Sequence, residues 1–143
     1  MICRREVWTW SVLVLCAAVF GCTSLPDASR TAVVQDVKIE EKLSSDTLSV
    51  RPGDEVRWVN HRKLPVRVEV PSVTTDDLSC QRGFTNWMGS YRDVAILKPN
   101  ETAALCFKKS VVINYIVRAE TSLGGGMQVL PGKVSVEGNT TGR

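Results

Sequence analysis

The side chains of this sequence that could carry out chemistry are few and far apart. The one histidine, His61, lies in the basic stretch HRKLP. A zinc or copper site normally takes three or four protein ligands, and a serine hydrolase needs a base beside an activated serine. Arg62 and Lys63 follow His61 and oppose a cation, and no Gly-x-Ser-x-Gly motif supplies a nucleophile. We therefore expect a solvent-facing histidine, no metal site, no cofactor and no enzymatic activity.

The remaining residues of catalytic type are isolated from one another. The acidic pair Asp76 and Asp77 has no spacing that places it beside Glu120, and we interpret all three as solvated loop charges. The glycine run at 124–126 lacks the Lys and the Ser or Thr of a phosphate-binding loop. These features favour a non-catalytic protein.

The N-terminal stretch MICRREVWTWSVLVLCAAVFGC is typical of a secretory signal. Arg4 and Arg5 precede an apolar run over 7–20, which is shorter than the roughly 20 apolar residues of a membrane span. Its last four residues, VFGC, resemble the lipobox of bacterial lipoproteins. That resemblance implies removal of residues 1–21, a diacylglycerol on the sulfur of Cys22 and a further acyl chain such as palmitate on its amine. The alternative is an ordinary signal peptide in which Cys22 is incidental.

The resemblance to lipoproteins also implies a location for the protein. Two or more acyl chains give stable membrane anchoring, whereas one chain is marginal. Thr23 follows Cys22, in place of the Asp that marks inner-membrane retention in many such proteins. We expect an exported protein anchored in the outer membrane and facing the periplasm or the cell exterior. The polar residues 22–31 form its tether, 32–138 its single domain and 139–143 a C-terminal tail.

Charge gives little indication of a nucleic-acid partner. The chain has 18 basic and 15 acidic residues and a formal net charge of +3. This balance does not favour a polyanion as the partner, and we expect no nucleic-acid binding.

Two cysteines remain after the predicted signal and lipidation site, namely Cys80 and Cys106. An exported protein meets an oxidising environment, so this even pair predicts a disulfide. Two free buried thiols and a redox-active pair are the alternatives, although no Cys-x-x-Cys spacing supports the redox interpretation.

Apolar residues alternate with polar ones along most of the domain. The alternating positions are Val37 and Ile39; Val56, Trp58 and Asn60; Val66, Val68 and Val70; Ala103, Leu105 and Phe107; Val111, Ile113, Tyr115 and Val117; and Val134 and Val136. Turn signals at Arg51–Asp54 and Lys98–Glu101 separate these runs. The pattern predicts an all-β protein, an antiparallel Greek-key β-sandwich of about seven strands. The polar stretch 73–91 is the exception, and we expect a short helix or an extended loop there.

Several of these segments resemble the cupredoxins, the plastocyanin-like blue-copper proteins. LSVRPGDEVRWVN at 48–60 is similar to their second and third strands, where a Pro-His pair soon follows and supplies a copper ligand. LKPNETAALCF at 97–107, NYIV at 114–117 and PGKVSV at 131–136 are similar to later strands. The resemblance covers most of 32–138 and implies a cupredoxin-like sandwich.

The copper ligands that this resemblance implies are replaced. A blue-copper site needs two imidazoles, a thiolate and a weak axial thioether. Val66 stands at the position of the first histidine, Val117 at that of the cysteine and Glu120 at that of the second histidine. Leu130 stands at the axial position, and Met127 is three residues out of register. We therefore expect a cupredoxin-like domain without copper.

Two surface features are candidates for binding. Strand alternation predicts Arg57 and Arg67 on an outward face, with Arg62 and Lys63 at the turn between them. This basic patch could meet anionic lipid, lipopolysaccharide or an acidic partner, or it could simply solubilise the protein.

The second feature is an aromatic cluster in the stretch after Cys80. Its members are Phe84, Trp87, Met88 and Tyr91. If they are exposed, the cluster is a partner-binding patch, and if they fold inward it caps one end of the sandwich.

Together these features predict a lipid-anchored envelope protein with a non-copper, cupredoxin-like domain. It would act as a non-catalytic binding or accessory subunit, in contact with the membrane through its lipid and with an unidentified envelope protein. The alternatives are a copper-binding or electron-transfer lipoprotein with a non-standard ligand set, and a stress-response or inhibitor lipoprotein.

Overall fold

The computed structural model describes residues 33–121 and 124–138. These residues form nine strands: β1 Val34–Ile39, β2 Thr47–Val50, β3 Glu55–Asn60, β4 Val66–Glu69, β5 Leu78–Arg82, β6 Val94–Leu97, β7 Thr102–Phe107, β8 Val111–Glu120 and β9 Met127–Val136. The predicted signal peptide, Cys22, the tether at 22–31 and the tail at 139–143 lie outside the described residues. Within the described part, no helix has the length and apolar character that a membrane crossing requires.

The strands form two mixed sheets. The four-stranded sheet has the order β1-β3-β7-β5, and the five-stranded sheet has the order β2-β9-β8-β4-β6. Most neighbours are antiparallel, but β1 pairs in parallel with β3, and β2 with β9. The predicted all-β sandwich is confirmed. The expected seven strands and purely antiparallel pairing are corrected to nine described strands with two parallel pairs.

The alternation of side chains explains how the two sheets pack. In β3, Val56, Trp58 and Asn60 are buried, and the residues between them are half-buried. Residues of β8 also belong to the core, and Tyr115 is buried there. The Trp58 ring meets the edges of Phe84 and Tyr115, with ring centroids 5.6 and 5.3 Å apart. These aromatic contacts join both sheets to the segment that follows β5.

Both turns expected from the sequence are present. At 51–54, the Asp54 amide donates to the Arg51 carbonyl at 3.0 Å, and Gly53 has a φ of 93°. At 98–101, Asn100 has a φ of 65°, a conformation that asparagine tolerates better than most residues. Each turn reverses the chain before a strand of the four-stranded sheet, β3 in one case and β7 in the other.

The stretch 73–91 contains a strand that the sequence did not reveal. A 3-10 turn at Thr75–Asp77 leads into β5, which pairs with β7 at the edge of its sheet. Of the five residues of β5, Leu78 alone is fully buried. The strand therefore lacks the apolar alternation by which the other strands were predicted, and its backbone pairing with β7 defines it.

Candidate functional site

Three of the four residues that the cupredoxin resemblance assigns to ligand positions lie near one another in the five-stranded sheet. Val117 of β8 lies opposite Val68 of β4 and Leu130 of β9. Val66 is the first residue of β4, two residue pairs farther along the same ladder. Val66 and Val117 are buried, and Leu130 is half-buried against the core. These side chains fill the end of the core with hydrocarbon and offer no metal ligand.

The remaining ligand position, Glu120, and the nearby Met127 point away from that apolar end. Glu120 ends β8 on the exposed side and lies opposite Met127. The Met127 side chain is exposed as well. Neither side chain faces the interior where Val66 and Val117 pack.

Arg62 closes this end of the sandwich from outside. Its guanidinium donates to the carbonyls of Glu40 and Glu120, at 2.9 and 3.0 Å, and to Oε1 of Gln128 at 2.9 Å. The amide nitrogen of Gln128 in turn donates to the carbonyl of Glu41 at 2.8 Å. Arg62 and Gln128 thus tie together the segment after β1, the end of β8 and the start of β9.

Buried Asn60 holds the turn that carries Arg62. Its Nδ2 donates to the carbonyls of Leu64 and Leu97 at 3.0 and 2.9 Å, and its Oδ1 accepts from the Arg62 amide at 2.8 Å. A buried amide with three hydrogen bonds is well satisfied, and losing one would leave a polar group unpaired. Asn60 therefore positions the backbone from which Arg62 reaches across the end of the sandwich.

His61 lies beside this network but does not enter it through its ring. Its Nδ1 is 3.9 Å from Oε1 of Glu40, and both side chains are exposed. In the part of the chain that the structure describes, the group of three close ligand side chains is Glu55, Cys80 and Cys106, and it does not include His61.

The structure does not bring the four predicted basic residues together in one patch. Arg57 projects outward from β3 in the four-stranded sheet, whereas Arg67 projects outward from β4 in the five-stranded sheet. The sequence interpretation placed Arg57 and Arg67 on an outward face, with the basic turn between them. In the structure the chain crosses between the sheets at 61–65, so the two arginines lie on opposite outer faces. Lys63 is exposed at the crossing.

Both outward arginines are paired with carboxylates. Arg57 binds Asp36 through two hydrogen bonds, Nε to Oδ1 at 2.7 Å and Nη2 to Oδ2 at 2.9 Å. This hydrogen bonding is the largest cause of the lowered pKa of Asp36. On the other sheet, Oε1 of Glu69 forms an ion pair with Nε of Arg67 at 2.8 Å and accepts a hydrogen bond from Nε of Arg118 at 3.0 Å. The positive charge on each face is thus partly compensated.

The aromatic cluster divides into inward and outward members. Phe84 is completely buried against Trp58. Tyr91 is half-buried against the core, and burial is the main cause that raises its pKa to about 12. Trp87, by contrast, is 93% exposed, and Met88 is 69% exposed. Phe84 and Tyr91 therefore form the predicted cap, and Trp87 and Met88 form the predicted exposed patch.

The exposed pair is carried by an ordered turn. Oδ1 of Asn86 accepts from the amides of Met88 and Ser90, both at 2.9 Å. The Asn86 amide donates to the Ser90 carbonyl at 2.9 Å, and Gly89 completes the turn with a φ of 81°. Because these bonds fix the backbone, Trp87 is presented at the tip with little backbone freedom to lose on binding.

The predicted disulfide is present. Cys80 and Cys106 are directly opposed on β5 and β7, with their Cα atoms 4.8 Å apart. Both are half-buried and share the outer side of the sheet with Glu55.

Sequence reasoning missed two features of these sites. It placed Arg62 in a binding patch, although its hydrogen-bond partners belong to segments 22 to 66 residues away in the sequence. It also missed Glu55 beside the disulfide. The pairing of Cys106 with both β3 and β5 produces that proximity, and β5 was not recognised as a strand.

The comparisons with known proteins give structural neighbours but no sequence family. No protein-family model matches the chain, and no curated protein sequence matches it. The chain is similar to solved structures of amicyanin. It is 22% identical to a methionine-to-alanine amicyanin mutant in the Cu(I) form, with 74% of this chain and 82% of that chain covered and a TM-score of 0.45.

Two further amicyanin structures give similar values. An oxidized methionine-to-leucine mutant is 22% identical, with 74% of this chain and 82% of that chain covered and a TM-score of 0.46. A reduced Cu(I) form of a proline-to-glycine mutant is 20% identical, with coverage of 75% and 83% and a TM-score of 0.44. The sandwich itself is established by the strand pairings described above.

Proposed function

We propose that this chain is a lipid-anchored envelope protein whose cupredoxin-like sandwich has become a non-catalytic binding or accessory domain. The observation that carries the proposal is the apolar packing at the end of the sandwich where copper would be held. Val66, Val117 and Leu130 pack there as hydrocarbon, and Arg62 closes the end from outside. A thiolate and imidazoles are the groups that a blue-copper site requires, and apolar side chains stand in their place.

The exposed turn supports binding to a protein partner. Trp87 and Met88 lie at its tip, and Trp and Met are enriched in the cores of protein interfaces. A tryptophan held on an ordered backbone has the properties of an anchor that fills a pocket on another protein. We propose that this tip contacts an envelope protein while acyl chains on Cys22 hold the domain near the membrane.

Site-specific photo-crosslinking in intact cells tests this role. A photoreactive amino acid at position 87 is expected to trap a defined protein adduct. The same amino acid at Ser49, an exposed position on β2 at the far edge of the other sheet, is the matched control. Adducts of equal yield from both positions, or none from position 87, would contradict the proposed contact.

A further inference from the structure

Three side chains that can bind a metal lie in one row across the four-stranded sheet. Glu55 of β3 is the register partner of Cys106 of β7, and Cys106 is the register partner of Cys80 of β5. One ligand atom from each residue lies within 4.8 Å of the other two. Among the residues that the structure describes, these three are the group of His, Cys, Asp or Glu side chains close enough together to share one metal ion.

The disulfide determines whether this row can hold a metal. In the oxidised form the two sulfurs are bonded to each other and are not thiolates. A dithiol reductant would transfer two electrons and two protons to Cys80 and Cys106, giving two thiols, and would itself become a disulfide. A metal ion that then binds both sulfurs displaces the two thiol protons, because thiolates are the coordinating form.

The backbone already places the ligands at a suitable spacing. Tetrahedral zinc with Zn–S distances of about 2.3 Å separates neighbouring ligand atoms by about 3.7 Å. The Cα atoms of Cys80 and Cys106 are 4.8 Å apart on paired strands, and Glu55 is on the adjoining strand. Small side-chain rotations would therefore bring two sulfurs and one carboxylate oxygen around a single ion, with the sheet unchanged.

The charge of the row matches a divalent ion. Two thiolates and the Glu55 carboxylate carry three negative charges, and Zn²⁺ would leave one. Nη2 of Arg82 lies 2.6 Å from Oε1 of Glu55 and would balance that charge. A carboxylate has two oxygens, so Glu55 can retain Arg82 on one of them and coordinate with the other. A cationic neighbour also favours the thiolate form of a cysteine.

We propose that reduction of the Cys80–Cys106 disulfide creates a zinc site formed by Cys80, Cys106 and Glu55, with a fourth position open to water. The sheet is held by a covalent bond in the oxidised form and by a metal in the reduced form. This inference does not depend on the binding role proposed above, because none of its three ligands belongs to the Trp87 turn or to the end closed by Arg62.

Zinc titration of the reduced chain tests the inference. The full chain is prepared in detergent with Cys3→Ser, Cys16→Ser and Cys22→Ser, so that Cys80 and Cys106 are its remaining cysteines. After reduction we expect one equivalent of Zn²⁺ to bind in competition with a chromophoric chelator, and Cd²⁺ to give a thiolate-to-metal absorption band. We expect Glu55→Gln to weaken zinc binding by about tenfold or more, since one ligand is lost. Glu41→Gln, an exposed carboxylate elsewhere, is the matched control.

Several results would overturn the site. They are stoichiometric zinc in the oxidised chain, no zinc in the reduced chain, and equal affinities in the Glu55→Gln and Glu41→Gln proteins. If reduction abolishes the near-ultraviolet circular dichroism of the domain, Zn²⁺ is expected to restore it in the parent chain but not in the Glu55→Gln protein. Failure to restore that signal in the parent chain also overturns the proposal.

Discussion

The guanidinium of Arg62 donates a hydrogen bond of 2.9 Å to the side-chain oxygen of Gln128. This contact joins residues that are 66 positions apart and crosses the end of the sandwich where Val66 and Val117 are buried. Gln128 also reaches the carbonyl of Glu41, so the two side chains form one continuous network. The network ties the segment after β1 to the end of β8 and the start of β9.

Replacing Arg62 by alanine is expected to destabilise the domain by about 1–2 kcal/mol. The change removes three hydrogen bonds from a charged donor and leaves their acceptors to solvent, which partly compensates the loss. Lys63→Ala is the control, because the neighbouring Lys63 is exposed and surface substitutions usually cost within about 0.5 kcal/mol. Urea unfolding of both proteins measures the difference. Equal midpoints for the two variants would show that Arg62 does not stabilise this end.

Copper titration is expected to give no blue-copper spectrum. The cupredoxin resemblance implies Val117 at the thiolate position, and the sulfurs of Cys80 and Cys106 are bonded to each other in the oxidised chain. We expect no thiolate charge-transfer band and no stoichiometric Cu(II) retained after desalting. His61→Ala is expected to give the same result as the parent chain. Retained copper that is lost in the His61→Ala protein would instead favour the copper-binding alternative.

The predictability of the fold follows from where each strand lies. Strands such as β3 and β8 alternate buried residues with half-buried or exposed ones, and this alternation reveals them in the sequence. Strand β5 lies at the edge of its sheet and has one fully buried residue. Its sequence therefore lacks the alternation of apolar and polar residues that predicts a strand. The turn after β3 predicts a reversal of the chain, but not whether the next strand returns in the same sheet. Arg57 and Arg67 were therefore placed on one face, although they project from different sheets.

In the candidate sites too, features that depend on nearby residues could be predicted from the sequence, and features that depend on contacts between distant strands could not. The expectation that Val117 stands in place of a ligating cysteine comes from the sequence, because it depends on position within a motif. The closure by Arg62 depends on pairing between distant strands, and so does the approach of Glu55 to the disulfide. Exposure of Trp87 was left open by the sequence, since it depends on how the Asn86 turn projects from the sheet edge.

The two aromatic residues Phe84 and Trp87 are expected to respond in opposite ways to truncation. Phe84→Ala removes a completely buried ring and should destabilise the domain by about 3–4 kcal/mol. Trp87→Ala removes a side chain that is 93% exposed, and stability should change by less than about 0.5 kcal/mol. Thermal unfolding measures both effects. A large loss of stability in the Trp87→Ala protein would assign that residue to the fold and argue against a role in partner binding.

Lipid attachment is expected to depend on Cys22. Cells grown with a clickable fatty acid should label the parent protein, and Cys22→Ser should abolish labelling and leave the protein unprocessed, because the resemblance to a lipobox implies that cleavage follows lipidation. Cys16→Ser, within the predicted signal, is the control and should remain labelled. Label that persists in the Cys22→Ser protein would place the acyl chains elsewhere and remove the predicted anchor.

Both tyrosines of the chain, Tyr91 and Tyr115, are expected to resist ionisation in the folded state. Burial is the main cause that raises each pKa to about 12, whereas an unfolded tyrosine has a pKa of about 10. Between these values the unfolded chain has released protons that the folded chain retains. Stability is therefore complete below about pH 10 and is lost as the pH rises toward 12. Tyrosinate absorbance of the folded chain should stay low at pH 10.5 and should rise near pH 10 in concentrated urea. Tyr91→Phe and Tyr115→Phe separate the two groups, and substantial ionisation of either tyrosine at pH 10 in the folded protein would contradict its burial.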